Sequence, residues 1–222
     1  MQGILRSYSS ELWLGLVFVL LLSATLMLDV RVFLWSQTLS TNIIDFFQLI
    51  TQVGHAAWML ALIASVTLLF LLLARRYRKL KRGDTFNKFA QKCVFVLVSV
   101  AGAGLCGVCL KYLIGRARPS QFAEFGAYYL APLSINSEFA SFPSGHSTNL
   151  FALAFSLCLF LPRLRLPLLF LASGFAFSRV LIGEHFLSDF AGGVLLSFLF
   201  VSWWRRQAVA RKYILKIPLQ AV

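Results

Sequence analysis

The stretch "CVFVLVSVAGAGLCGVCLKYLI", Cys93 to Ile114, carries a single charge, and that charge, Lys111, stands in its last turn. At 1.5 Å per residue such a run crosses the ~30 Å hydrocarbon core of a bilayer, for which ~20 apolar residues are needed. Two further runs of this kind lie at Leu12 to Leu28 and Ala56 to Ala74. Three shorter ones lie near Thr148 to Leu161, Leu166 to Phe177 and Phe186 to Trp204. The shortest must extend through polar flanks, which should therefore face protein. A chain with 59% hydrophobic and 13% charged residues and a mean hydropathy of +0.78 is outside the soluble norm. The expectation is an all-α polytopic membrane protein with six transmembrane helices, forming a single domain over residues 1–222.

The first run follows a weakly basic start, with Arg6 and Glu11 beside it, and has no small-x-small site at a suitable distance. It is expected to stay in place as the first helix. The net charge of +13 invites a nucleic-acid reading, and "RRYRKLKRGDTFNKFAQK" at 75–92 is its best support. That run, however, directly follows the second span, where basic residues anchor topology on the cytoplasmic side. With the N-terminus inside, sixteen Lys and Arg fall on the inner side: Arg6, those from Arg75 to Lys92, Arg163, Arg165 and the tail from Arg205 to Lys216. Five fall outside: Arg31, Lys111, Arg116, Arg118 and Arg179. Anchoring and contact with membrane lipids account for the basic excess, so no nucleic-acid partner is expected. Cys93, Cys106, Cys109 and Cys158 sit in or beside apolar runs as small hydrophobes, with no disulfide framework. In "AGAGLCG", Ala103 and Gly107 are in register for close helix packing.

Three outer-side clusters contain residues that a bilayer excludes unless they serve a purpose. In "KYLIGRARP", Lys111 alone reads as a snorkelling lysine. Arg118 lies seven residues on, about two helical turns, and would share its face if the helix continued. Pro119 ends the helix near Arg118 and lets that guanidinium turn inward. Arg116, off that face, reads as a surface or headgroup contact. In "PSGH", Pro143 suits an early helical position, and Ser144 with Gly145 would present unpaired backbone N–H groups to an anion, with His146 beside it. Taken alone, the same four residues read equally well as an ordinary capped helix start. In "SRVLIGEHFLSDF", His185 and Asp189 are spaced i, i+4 on one helical face, as a carboxylate that orients an imidazole must be. Three cations, an anion-binding helix end, two histidines and a carboxylate make an inventory for phosphoryl transfer.

Lys111 to Pro119 matches K-x6-R-P, Pro143 to His146 matches P-S-G-H, and Ser178 to Asp189 matches S-R-x5-H-x3-D. In this order and spacing the chain resembles the type 2 phosphatidic acid phosphatase superfamily, which also contains vanadium haloperoxidases. The resemblance covers Lys111 to Asp189 directly. It implies that Lys111, Arg118 and Arg179 bind phosphate with Ser144 and Gly145 as its cradle. It further implies that His146 is the general acid, His185 the nucleophile forming a phosphohistidine, and Asp189 its orienting partner. "GRARPS" and "FASFPSGHST" are most similar to the lipid A 1-phosphatase branch. Similar bacterial proteins act on lipid A, undecaprenyl diphosphate, phosphatidylglycerophosphate or phosphatidic acid.

The expected protein is thus a lipid phosphatase of the bacterial inner membrane, with its site at the outer membrane–water interface. It is expected to need no cofactor, no metal and no obligate protein partner, because the outer side offers only Glu124, Glu138, Glu184 and Asp189 as carboxylates near the site. Residues 120–142, with Phe122, Phe125, Tyr128, Tyr129, Phe139 and Phe142, read as an aromatic flap over the headgroup, or else as an interfacial belt. Two rivals stand beside this: a lipid-to-lipid phosphotransferase using the same intermediate, and a non-catalytic lipid-binding protein, against which the acid/base residues argue. The spans exclude a soluble haloperoxidase.

Overall fold

The computed structural model describes residues 2–210, with the backbone alone for 2–12, 14, 15 and 18. Of the basic residues counted above, Arg211, Lys212 and Lys216 lie outside the described residues, as does the side chain of Arg6. Among the described residues eight α-helices follow one another: α1 (Gln2–Ser36), α2 (Thr41–Thr51), α3 (Ala56–Arg76), α4 (Lys81–Ile114), α5 (Phe122–Phe125), α6 (Gly145–Phe160), α7 (Arg165–Leu181) and α8 (Leu187–Ala210). Among the described residues there is no strand, only one isolated bridge between Arg116 and Leu130.

Among the described residues five helical stretches are long and apolar enough to cross a membrane: Val19–Ser36, Thr41–Arg76, Lys81–Ile114, Pro162–Leu181 and Leu187–Ala210. The protein is a multi-pass membrane protein. Each of the six expected spans coincides with one helix, but α6, at 16 residues, rises only ~24 Å. It can be short because it is the central helix, packed against α4, α7 and α8. Large apolar side chains such as Met27, Leu62, Leu105, Leu166 and Phe170 are exposed on the outside of the bundle, the surface that lipid would cover.

Three boundaries differ from expectation. Helix α1 continues past Leu28 to Ser36 and so includes Asp29. Helix α2 was not expected; a 3-10 turn over Gln52–Gly54 joins it to α3. Helix α4 begins at Lys81, so much of the basic stretch is itself helical. Its 34 residues rise ~51 Å, enough to carry those cations beyond the hydrocarbon.

The core forms where α4, α6 and α8 meet. Phe95, Val100 and Ala103 pack with Ala152, Leu159 and Val201. A second cluster joins Met59 of α3 to Leu150 and Phe151 of α6 and Ala172 and Ala176 of α7. The small residues of α4 do close packing: Gly102 faces the ring of Phe200, and a Cβ on Gly107 would lie 3.6 Å from Leu196 and 3.7 Å from Thr148. All four cysteines are free.

Because the chain alternates direction, the C-terminal ends of α4 and α7 and the N-terminal ends of α6 and α8 share one end of the bundle. All eight expected site residues belong to these ends. The cations from Arg75 to Lys92, with Arg163, Arg165, Arg205 and Arg206, belong to the opposite end.

Candidate active site

Helix α4 stops earlier than Pro119 requires. Gly115 closes it in the left-handed region at φ 65°, its N–H bonded to the Lys111 carbonyl at 2.8 Å. A side chain here would also collide with the carbonyl of Ala131, so the position demands glycine twice over. Beyond it the chain is extended and is gripped by the returning link. Ala117 N–H donates to Tyr129, Arg118 N–H to Glu138 at 2.8 Å, and Ser141 N–H to Arg116 at 3.0 Å. The link is therefore a clamp on the first motif. Its phenylalanines pack on other rings: Phe122 lies 4.8 Å from Phe33, and Phe125 lies 4.5 Å from Tyr129 and 5.5 Å from Phe139, while Tyr128 and Tyr129 stay exposed. Phe142 fills the space left by Gly192.

The helix of the second motif begins at Gly145, with Ser144 as its N-cap accepting from Ser147 N–H at 3.5 Å. Pro143 precedes the cap and is not a helical residue. The N–H of Ser144 is not unpaired as expected, because it donates to the Asp189 carbonyl at 2.9 Å. The N–H groups without an intrahelical acceptor at this end are those of Gly145 and His146. A Cβ on Gly145 would come 3.9 Å from Lys111 Cε, so the lysine flanks the helix start. Close docking on α8 depends on Gly193, where a Cβ would strike Ser147 and the Ser144 carbonyl.

Lys111 Nζ donates to the Ala140 carbonyl at 2.5 Å. Arg118 and Arg179 converge on one carboxylate oxygen, Glu184 Oε2, at 2.9 and 3.1 Å. A single anion already holds two of the three expected phosphate ligands together. His146 has Lys111 and Arg179 as charged neighbours. Its buried Nε2 has no hydrogen-bond partner in the protein. Buried polar atoms are normally satisfied, so this nitrogen suits an acceptor brought by a ligand. His146 also rests on a turn that sequence reading passed over. Gly54 lies under its ring, and His55 packs edge-on at 5.0 Å between centroids.

His185 is 4% exposed and Asp189 fully buried. Their direct contact, Nδ1 to Oδ2, is 3.5 Å. Ser141 completes it: its hydroxyl donates to Asp189 Oδ2 at 2.6 Å and lies 3.4 Å from His185 Nδ1. With its proton committed to the carboxylate, that hydroxyl can only accept, which places the imidazole proton on Nδ1 and leaves Nε2 to face the site. Phe186 N–H also donates to Asp189 Oδ2, at 2.9 Å.

The largest correction concerns Arg116. It is 4% exposed and faces neither surface nor headgroups. One guanidinium nitrogen donates to Asp189 Oδ1 and Ser188 Oγ, both at 2.6 Å; the other donates to Asp29 Oδ2 at 2.7 Å. Both Nη2 and Nε also reach the Ala127 carbonyl, and the ring of Phe186 covers the group at 4.7 Å. Asp29, from α1, receives the N–H and hydroxyl of Ser188 at 2.8 and 2.5 Å. Two carboxylates on one guanidinium, all hydrogen-bonded, make a buried network that can remain ionised. It joins α1 to the carboxylate behind His185.

The model of the PAP2 superfamily matches residues 92–213. The chain belongs to the PAP2 superfamily. Two relatives, the lipid A 1-phosphatases of Rhizobium johnstonii and Rhizobium etli, are 36% and 35% identical over 153 residues, 66% of this chain. The matched part spans 60% and 63% of those relatives' own lengths. A crystal structure of a transmembrane PAP2 type phosphatidylglycerolphosphate phosphatase from Bacillus subtilis superposes with a TM-score of 0.62 at 25% identity, covering 90% of this chain and 96% of that one. The matched region holds Lys111, Arg118, Gly145, His146, Arg179, His185 and Asp189, which gather at one end of the bundle. That region does not cover Asp29, Gly54 or His55, which lie before it. Arg116 lies inside that region, between two motif positions.

Proposed function

We propose that the chain is a lipid phosphatase that acts through a phosphohistidine on His185. One observation carries this reading: a buried imidazole whose Nδ1 is tied to Asp189 directly and through Ser141, with Lys111 and Arg118 among its charged neighbours. Phosphate binds Lys111, Arg118 and Arg179 and the N–H groups of Gly145 and His146, Ser144 serving as the cap that aims them. His185 Nε2 attacks phosphorus while His146 gives a proton to the departing oxygen, and water then releases phosphate from His185. Asp189 supports the positive charge that develops on the imidazole. The compartment follows from the charge asymmetry: the cation-rich end is cytoplasmic and the site faces the periplasm. The names of the relatives favour lipid A as substrate.

The test is phosphate release by the purified protein from lipid A, undecaprenyl diphosphate, phosphatidylglycerophosphate and phosphatidic acid, with chelator present. Release from at least one lipid is expected, with vanadate inhibiting because it adopts the five-coordinate shape of the transition state. Release that needs added metal would sink the mechanism. Transfer to a second lipid rather than to water would identify a phosphotransferase.

The pH profile is a second expectation. Burial, the largest influence, pushes His185 down to about 4 despite the opposing pull of Asp189. A histidine with a lowered folded pKa is neutral, and so able to attack, until pH falls to that value. The acid limb of kcat/KM should therefore lie near pH 4, not near the ordinary 6.5. The same shift stabilises the fold fully above pH 6.5, with the gain lost as pH falls from there towards 4. An acid limb at 6.5 would mean that His185 is solvated.

A further inference from the structure

We propose that Glu184 is a tethered competitor for the phosphate site: its carboxylate and a phosphoryl group take Arg118 and Arg179 in turn, and its return drives the freed phosphate out. The proposal rests on the reading of these arginines as phosphate ligands. It adds to them a residue at an unspecified position of S-R-x5-H-x3-D.

The turn after α7 puts the carboxylate between the two cations. Gly183 takes the left-handed region at φ 72°, and the N–H groups of Glu184 and His185 both fold back to donate to the Arg179 carbonyl, at 3.0 and 3.2 Å. Glu184 is thereby carried over the arginine five residues before it. Arg118 comes from the clamped link opposite, with its Nε donating to the Ser137 carbonyl at 2.9 Å. Both guanidiniums then donate to one oxygen, Oε2, at 2.9 and 3.1 Å. Two like charges that converge repel unless an anion stands between them, and either a carboxylate or a phosphoryl group can be that anion.

The carboxylate is the weaker ligand of the two. It offers a single oxygen to both arginines, its side chain is 44% exposed, and Nε of Arg179 is buried without a hydrogen-bond acceptor in the protein. A phosphoryl group carries three terminal oxygens and more charge, so it can pair with two nitrogens of Arg179 at once and satisfy that donor. The displaced carboxylate has somewhere to go: a polar cavity of about 340 Å³ that it already lines with Ser120, Ser137 and Glu138. It remains tethered beside His185, at an effective concentration on the order of millimolar. The cations that hold the reacting phosphoryl group also retain the product, and a carboxylate that re-enters at this concentration shortens that retention.

The experiment measures inhibition of lipid phosphate release by inorganic phosphate and by vanadate. It also measures, in detergent, the rise in melting temperature that inorganic phosphate causes, each protein being compared with its own phosphate-free value. The proteins are the wild type, Glu184→Gln and Glu138→Gln. Glu138 lines the same cavity, but its carboxylate accepts from Ser120 and Gln121 at 2.7 and 3.1 Å, so its variant reports the loss of a nearby charge alone. In Glu184→Gln both inhibition constants should fall about tenfold, the scale of two partly exposed ion pairs. KM should fall with them while kcat does not rise, and the phosphate-induced rise in melting temperature should grow. In Glu138→Gln all of these should move much less. Inhibition constants that hold or rise in Glu184→Gln, or that fall equally in Glu138→Gln, overturn the competitor and leave the phosphatase reading intact. If no lipid is hydrolysed, the phosphatase reading fails, and the melting shift in inorganic phosphate still decides whether Glu184 competes.

Discussion

His185→Ala is expected to abolish turnover, by at least about 10⁴-fold, together with any acid-labile phosphoenzyme. His146→Ala should instead cost on the order of 10²–10⁴-fold and should be rescued in part by an aryl phosphate whose leaving group needs no proton. The separation follows from how the two rings are held. His185 is enclosed, with Nδ1 against Ser141 and Asp189, so only Nε2 can react. His146 stands at the first turn of α6 with Nε2 unpartnered in the protein, as a donor waiting for an oxygen would. Ser141→Ala belongs to the same experiment. It removes the bridging hydroxyl and leaves a 3.5 Å contact, so kcat should fall while KM holds. Phosphoenzyme in His185→Ala, or aryl-phosphate rescue of His185→Ala rather than His146→Ala, would reverse the roles.

Arg116→Ala is expected to be as damaging to the fold as to the reaction. Removing the guanidinium strands two carboxylates, Asp29 and Asp189, each with no exposed surface. Leaving buried charge uncompensated costs roughly 3–5 kcal/mol, most of the margin of a typical domain. Lysine should not restore it, because one ammonium cannot span two carboxylates and the Ala127 carbonyl as the planar fork does. Asp29→Asn keeps the shape and removes one charge; it should lower the melting temperature less than Arg116→Ala and leave the His185–Asp189 contact in place. Melting in detergent and phosphate release, measured on the same preparations, check both. Arg116→Ala with wild-type melting would mean that Asp189 is held by Ser141 and Phe186 alone.

The sequence by itself determined the class of the protein and pointed to the polar groups that the fold gathers at one end, because both are written in local terms. Bilayer crossing is a matter of continuous apolar length. A histidine, a lysine or an arginine beside such a run is costly enough to mark itself, and the pair His185 and Asp189 lie within one helical turn. Gly115 was passed over: it ends α4 at Ile114, whereas Pro119 had suggested an end near Arg118. What only the tertiary structure decided is which polar groups meet. Arg116 was assigned to the surface by the geometry of a helix that in fact stops before it, and its partner Asp29 lies 87 residues earlier. A lone carboxylate just past the first apolar run was a signal of buried pairing, but nothing in the run names its partner. The same holds for Gly54 and His55 under His146, and for Glu184 across Arg118 and Arg179. Periodicity reports the environment of a residue along its own helix. The pairing of charges is chosen by which helix ends the packing of α1, α4, α6 and α8 brings together, where each group's desolvation must be offset by another's charge.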